Sequence, residues 1–498
     1  MLYYTIALIL LAIILILLKT TIKPRNFPPG PEWLPIVGTL PLIKKLCIKY
    51  GSQHIALDTL RHEYGSDIIS LKFGSEKVVV VFSQDLIKEM FTQRPLQGRP
   101  DNFFIRMRTN GKRAGVTMVD GPLWVEHRGF LIKHLRQLGL GKNLMEGMIL
   151  DEFLAFENHL DSMVHREIQL STKVAGSVLN VLWVMVAGHK FDLTSEKLSN
   201  ILSLMRQRGQ AFQITGGLLG FFPWLRFLAP DKCGYTLLKS LSDQLYSLIN
   251  ETIITHKERL TNISPDDETP AEDFMDAFLL EMKRGNVSYT EDQLLAICLD
   301  MFIAGSETTS NTLDFAFLNM VRHPDVQAKV QKEIDAVLGP HEKPSYALKT
   351  KLPLVEAVLL ECQRMFNVVP LTGPHRATED TQLGGYNIPQ ETRVMACLYS
   401  IHYNPDTWSD PDTFRPDRFL NEDGSFKNCD SLYQFGFGKR RCLGETLARS
   451  FIFIYFVGVL HRYEIRTDDE NIFSEPLPGI TIRPKPYNVI LKPRHCNT

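Results

Sequence analysis

Residues 435–446 read FGFGKRRCLGET. A single cysteine, Cys442, stands between a glycine-rich basic run and an apolar stretch, LARSFIFIYFVGVL, with helical character. A cysteine at a helix start faces the positive end of the macrodipole. Lys439, Arg440 and Arg441 add positive charge, and both effects favour thiolate over thiol. Phe435, Gly436, Phe437 and Gly438 permit a tight loop whose backbone N–H groups can point at sulfur. A thiolate held this way can be a nucleophile or an iron ligand. A nucleophile needs a base nearby; no histidine flanks Cys442, although the fold can bring one in. A core cysteine is the plain third alternative.

The rest of the 498-residue chain narrows these choices. Its 44% apolar content is ample for a large core, and its formal charge of −1 provides no global field for nucleic acid. Eight cysteines are scattered without a C-x-x-C pair, which points to free thiols in a reducing compartment rather than a disulfide framework or zinc site. The N-terminal run MLYYTIALILLAIILILL has no charged side chain, and Lys19, Lys23 and Arg25 follow at once. Residues 1–20 are long enough for a membrane anchor, and the basic flank places the remainder on the cytosolic side. Residues 21–38, with Pro28, Pro29, Pro31 and Pro35, read as a stiff linker. Residues 39–498 read as one catalytic domain, mainly α with small peripheral β-sheets. IISLKFGSEKVVVVFS (68–83) has a hairpin pattern, helical patterns dominate from about 120 to 365, and strand-like pieces return at TQLGGYNIP, TRVMACLYS and ITIRPKPYNVIL.

Phe435, Gly438, Arg440, Cys442 and Gly444 meet the spacing F-x-x-G-x-R-x-C-x-G. This resembles the haem-binding loop of cytochromes P450. The resemblance implies the cytochrome P450 fold with an N-terminal transmembrane helix, haem b (iron protoporphyrin IX) as cofactor, and Cys442 as the axial ligand of the haem iron. An axial thiolate pushes electron density to iron and favours O–O cleavage. Further motifs carry the likeness. Ala304, Gly305, Glu307, Thr308 and Thr309 fit A-G-x-[D/E]-T-T in the helix that crosses the haem face. There Gly305 would permit close approach and leave room for dioxygen. Thr308 would bond backbone, open the helix locally and donate toward dioxygen, and Glu307 would feed protons inward. Glu361 and Arg364 fit E-x-x-R, and PDTFRPDRF supplies Arg418, implying a buried ion network that is structural. Asp417 stands where the family often has glutamate. Trp124 and Arg128 fit W-x-x-x-R. With Arg440, and with the less specific pairs Gly98–Arg99 and Pro374–His375, they are implied donors to the haem propionates. The resemblance covers essentially the whole chain.

The anchor and the P-P-G-P stretch resemble the microsomal type. That implies endoplasmic-reticulum membrane localisation and electrons from NADPH–cytochrome P450 reductase, whose acidic docking surface would suit Lys133, Arg136 and Lys439. Family pocket segments bring forward Phe103, Phe104, Phe212, Ile214, Leu218, Ala304, Val369, Leu371, Leu477 and Ile480, an apolar set suited to a lipophilic substrate. Arg106, Arg108, Lys112 and Arg113 are the charges among them, either one orienting a polar substrate end or all in a surface loop. GRPDNFFIRMRTNGKR and DGPLWVEHRGFLIKHLR are similar to an insect group that includes methyl farnesoate epoxidase, which makes juvenile hormone. The expected activity is monooxygenation of a lipophilic small molecule by O2. The alternatives are another hydrophobic hormone or xenobiotic as substrate, a haem-thiolate isomerase or dehydratase, and a haem protein without turnover.

Overall fold

A computed structural model describes residues 2–211, 217–262, 271–469, 472 and 475–494. Its spine is a 32-residue helix, Glu291–Arg322, here called the central helix. Thr290 caps it by accepting from the Gln293 N–H, and Glu291 and Asp292 occupy its first turn, where carboxylates complement the macrodipole. Most of its residues are buried, so no narrow amphipathic stripe marks it. Helix Leu170–Ala187 lies against it. This second helix is apolar enough to cross a membrane, but 72% of it is buried in the core. Gly305 belongs to this contact. A Cβ there would lie 2.4 Å from Leu182 Cδ1, so the glycine permits two helices to approach, and its open side is taken up by Leu182 rather than left for dioxygen.

Helix Glu445–Arg462 follows the cysteine loop and packs on the same core through Phe451, Tyr455 and Val459. The peripheral sheets are small. Ile68–Phe73 pairs antiparallel with Glu76–Val81, which runs parallel to Arg393–Ala396, with His375–Arg376 antiparallel at the edge. Gly74 (φ 60°) turns the first hairpin. A three-stranded sheet joins Glu167–Ile168, Val489–Pro493 and Tyr463–Arg466, and Thr381–Leu383 pairs with Tyr386–Ile388. ITIRPKPYNVIL is split: only its end is a strand, because Pro484 and Pro486 interrupt the ladder.

The N-terminal helix Leu2–Lys19 exposes apolar side chains such as Tyr3, Leu8 and Leu15. The proline-rich segment behind it is docked onto the domain. Phe27 and Trp33 are buried, the Ser70 N–H donates to the Pro29 carbonyl at 2.7 Å, and the Thr39 N–H donates to the Lys72 carbonyl at 2.7 Å. A Cβ on Gly30 would sit 2.2 Å from the Ser70 carbonyl oxygen. Residues 27–38 are thus held against the sheet, and Arg25 and Asn26 before them bond to Asn387 and Gly385 of the domain as well.

Candidate active site

The cysteine loop is shaped by its glycines. Gly436 and Gly438 have φ of 72° and 67°, values that side chains other than glycine adopt at a cost. Gly438 is doubly required, since a Cβ would lie 2.7 Å from the Phe91 carbonyl oxygen. Gly438–Arg440 forms one 3-10 turn, and the Cys442 N–H donates to the Phe435 carbonyl at 2.9 Å. Cys442 then precedes the N-cap Gly444 by two residues. A Cβ on Gly444 would meet no protein atom within 4 Å.

Cys442 retains accessible surface, as do its neighbours Phe437, Gly438, Lys439 and Arg441, and Ala304 is exposed in the middle of the otherwise largely buried central helix. The thiol is pushed up by burial, which outweighs the Gly444 N–H, Arg128 and Arg441 that draw it down; Glu445 adds to the rise. The cationic loop therefore acts in the expected direction, but in the protein's own field desolvation is the larger effect.

Beside the loop lies a cluster of guanidiniums brought from four separate stretches of chain. The Arg440 Cζ stacks 3.8 Å from the Trp124 ring centre, and its Nη2 donates to the Gln97 carbonyl at 2.9 Å. Arg128 donates to the Arg441 carbonyl at 2.8 Å. Arg99 donates to the Pro374 carbonyl at 2.8 Å. Arg113 pairs with Asp120 at 2.6 Å. The Nε atoms of Arg99, Arg113 and Arg440 are buried without a hydrogen-bond partner among the described residues. Burial first, then neighbouring arginines, lower Arg99 to about 10 and Arg440 to about 9. His375 sits in the same region, fully buried, its Nδ1–H donating to the Leu96 carbonyl at 2.6 Å, and is held neutral by burial, Arg99 and Arg440. Asp120 is the resident carboxylate: it accepts from the Arg99 N–H at 2.7 Å and from Arg376 at 3.0 Å. Such an excess of buried cations with unused donors suits an anionic partner, and two propionates match it. The sequence reading passed over Asp120; its place just before the helix Gly121–Gln137 was the available signal.

On the central helix, the Thr308 hydroxyl donates to the Ala304 carbonyl at 2.8 Å. The helix is continuous through this turn, so Thr308 back-bonds without opening it. Glu307 points elsewhere, accepting from the Thr481 hydroxyl at 3.2 Å beside Gly209. Burial raises its carboxyl, opposed by Thr481, Arg483, Arg208 and Arg206. Glu361, Arg364 and Arg418 are brought together without solvent. Arg364 Nε and Nη2 reach the two Glu361 oxygens at 2.7 and 3.0 Å, and Arg418 Nε reaches Oε1 at 2.9 Å. The Arg415 N–H and the His402 and Pro411 carbonyls complete the network.

The apolar candidates divide by exposure. Ala304 and Ile480 are exposed, and Val369 and Leu477 are half-buried. Phe104 packs with Leu219 and Leu238, Phe103 lies against Tyr235 and Arg226, and Leu371 is buried against Met395 and Cys397. Phe104 and Leu371, at 6% and 2% exposure, have almost no surface left for a ligand. Phe212, Ile214 and the Leu218 side chain lie outside the described residues. Arg108 is not in a surface loop: it pairs with Asp300 of the central helix, which also accepts the Val116 and Thr117 N–H groups at 2.8 and 2.9 Å. Arg106 pairs with Asp101 and Lys112 with Asp292, both at the surface. All seven described cysteines are free.

A long helix with an accessible turn, a glycine-shaped cysteine loop and buried cations beside it make up a haem-enzyme arrangement. The cytochrome P450 family model matches residues 28–491, and the chain belongs to that family: it is a monooxygenase-type oxidoreductase that binds haem b. It is 39% identical to "Probable cytochrome P450 305a1" of Drosophila melanogaster over 97% of this chain and 98% of that one. It is 35% identical to "Farnesoate epoxidase" of Bombyx mori over 98% of each. It is 33% identical to "Cytochrome P450 2J2" of Homo sapiens over 95% of this chain and 92% of the human one.

Proposed function

We propose that this protein is a microsomal monooxygenase that inserts one atom of O2 into a lipophilic small molecule, with electrons from NADPH through cytochrome P450 reductase. Bound haem supplies oxygen activation at an iron to which Cys442 contributes its sulfur. The observation that carries this reading is the cluster of guanidiniums beside the glycine-shaped Cys442 loop, in which the Nε atoms of Arg99, Arg113 and Arg440 are buried without a hydrogen-bond partner among the described residues. Phe435 and Gly438 shape the cysteine loop. Arg99, Arg128 and Arg440 hold the propionates through their free donors, with Trp124 stacked under Arg440 and neutral His375 packed beside them, its one N–H held by the Leu96 carbonyl. Thr308, its hydroxyl hydrogen given to the Ala304 carbonyl, offers its oxygen as an acceptor on the oxygen side, and Glu307 holds a proton behind it. Burial raises the affinity of Glu307 for that proton. Glu361, Arg364 and Arg418 keep the underlying scaffold rigid.

The exposed apolar helix Leu2–Lys19 supports a single anchor in the endoplasmic-reticulum membrane, with the domain on the cytosolic face. Lys133, Arg136 and Lys439 are exposed and free of ion pairs among the described residues, which suits an acidic reductase surface. For the substrate, the accessible apolar side chains and the Bombyx mori likeness favour epoxidation of a terpenoid ester such as methyl farnesoate, a step of juvenile hormone synthesis. Another hydrophobic hormone or xenobiotic is the second reading. Turnover of methyl farnesoate with reductase and NADPH tests the first: epoxide as the main product supports it, and binding without oxidation refutes it.

A further inference from the structure

We propose that Asp314, which lines a cavity of mixed polar and apolar walls behind the central helix, is a second proton-holding carboxylate that reloads Glu307. The proposal rests on the reading of Glu307 as a proton donor.

The cavity, of about 70 Å³, is lined by both carboxylates and by Ser306, Ser310, Arg206 and Arg483. Its exposed rim includes Gln169 and Pro486, so it leads from solvent to the buried side of the helix. Glu307 and Asp314 are seven residues apart and share a helix face, an axial offset of about 10 Å. Hydrogen-bonded oxygens are spaced about 2.8 Å apart, so about three waters bridge that gap. A cavity of this size with carboxylates, hydroxyls and guanidiniums in its walls holds that many. Ser310 lies between the carboxylates, its hydroxyl donating to the Ser306 carbonyl at 2.9 Å. That leaves its oxygen able to accept.

Asp314 is 7% exposed, and its Oδ1 has no partner among the described residues. An unsatisfied buried carboxylate oxygen is costly. The charged and titratable groups facing it are Arg206 from helix Glu196–Ala211, Arg483 and Tyr487 from the C-terminal segment, and Glu307 from its own helix. Gln169, Ser171 and Thr172 at the start of helix Leu170–Ala187 do not titrate. Burial dominates this environment and moves Asp314 to about 7, with Tyr487, Arg483 and Arg206 pulling the other way. A group poised there takes up and releases protons at neutral pH.

The balance is simple. Monooxygenation consumes O2, two electrons from NADPH and two protons, and yields oxygenated product and water. Solvent protonates Asp314 through the cavity mouth. Asp314 passes the proton along the water chain to ionised Glu307, and then returns to solvent for another. Asp314 acts through Glu307, so it is a positioning residue for the proton rather than a catalytic one.

The test uses the full haem-loaded chain with reductase, as wild type, Asp314→Asn and Arg483→Gln. Infrared difference spectra against pH should show a protonated-carboxyl band titrating near pH 7 in wild type. That band should vanish in Asp314→Asn and move to higher pH in Arg483→Gln, which lacks a cation favouring the carboxylate. NADPH-driven product formation in Asp314→Asn should fall at least threefold with a larger solvent isotope effect and unchanged KM. Turnover driven by hydrogen peroxide, which carries its own electrons and protons, should hold. The idea is overturned if the band is the same in wild type and Asp314→Asn, or if rate and isotope effect do not change. If wild type turns over no substrate, the monooxygenase reading fails, and the infrared titration alone still decides whether Asp314 exchanges its proton.

Discussion

Replacing Glu361 by Gln keeps the shape of the ion network and removes its only carboxylate. Arg364 is fully buried, and Arg418 is 7% exposed at its side chain. Both lose their counter-charge, although Arg364 keeps the His402 and Pro411 carbonyls. Taking one partner from a buried pair costs about 3–5 kcal/mol, because the charge left behind stays desolvated. Domain stabilities are typically only about 5–15 kcal/mol, so the loss should be large enough to loosen the scaffold under the cysteine loop. The assay is denaturant unfolding of haem-loaded protein in one detergent, followed by the carbon monoxide difference spectrum as haem is released. Lys239→Ala serves as the control. Its i, i+4 partner Asp243 is about as exposed as Lys239, and such pairs contribute less than about 1 kcal/mol. If Glu361→Gln costs no more than Lys239→Ala, the argument from desolvation is wrong.

Three further outcomes are expected. Gly438→Ala should destabilise by at least about 1 kcal/mol from its positive φ alone, and the 2.7 Å clash with Phe91 should reduce haem content; unfolding and haem absorbance measure both. Cys442→Ser should lose the red-shifted carbon monoxide band of thiolate ligation together with turnover; retention of that band would exclude Cys442. Asp314 has its folded value raised from 3.8 to about 7. The folded chain therefore holds a proton that the unfolded chain releases. The stabilisation is complete below about pH 4 and lost as pH rises through 7, amounting to about 4 kcal/mol at 1.36 kcal/mol per unit. Asp314→Asn should flatten the stability profile across that window, and a profile parallel to wild type would contradict it.

Much of the proposed site was legible from short motifs that resemble those of a known family. The cysteine loop, the A-G-x-E-T-T turn, the E-x-x-R pair and W-x-x-x-R are local patterns, and local patterns fix helix faces and demand glycine at positive φ. Gly305 shows the limit. Its presence was readable, but the neighbour it accommodates, Leu182, is more than a hundred residues away. The same holds for Phe104 and Leu371, whose apolar character was clear but whose burial depends on Leu219, Leu238, Met395 and Cys397.

By itself, then, the sequence determined the mainly helical fold from its patterning, and through its resemblance to a known family it determined the haem-thiolate class and the sulfur ligand candidate, because short motifs carry that resemblance. Only the tertiary structure decided that Asp120 answers Arg99, Arg113 and Arg376, that Asp300 receives Arg108, that residues 27–38 are held against the sheet, and that Asp314 faces the same cavity as Glu307. The reason is physical. Desolvation and charge pairing depend on which atoms surround a group, and those atoms arrive from distant parts of the chain when the core closes.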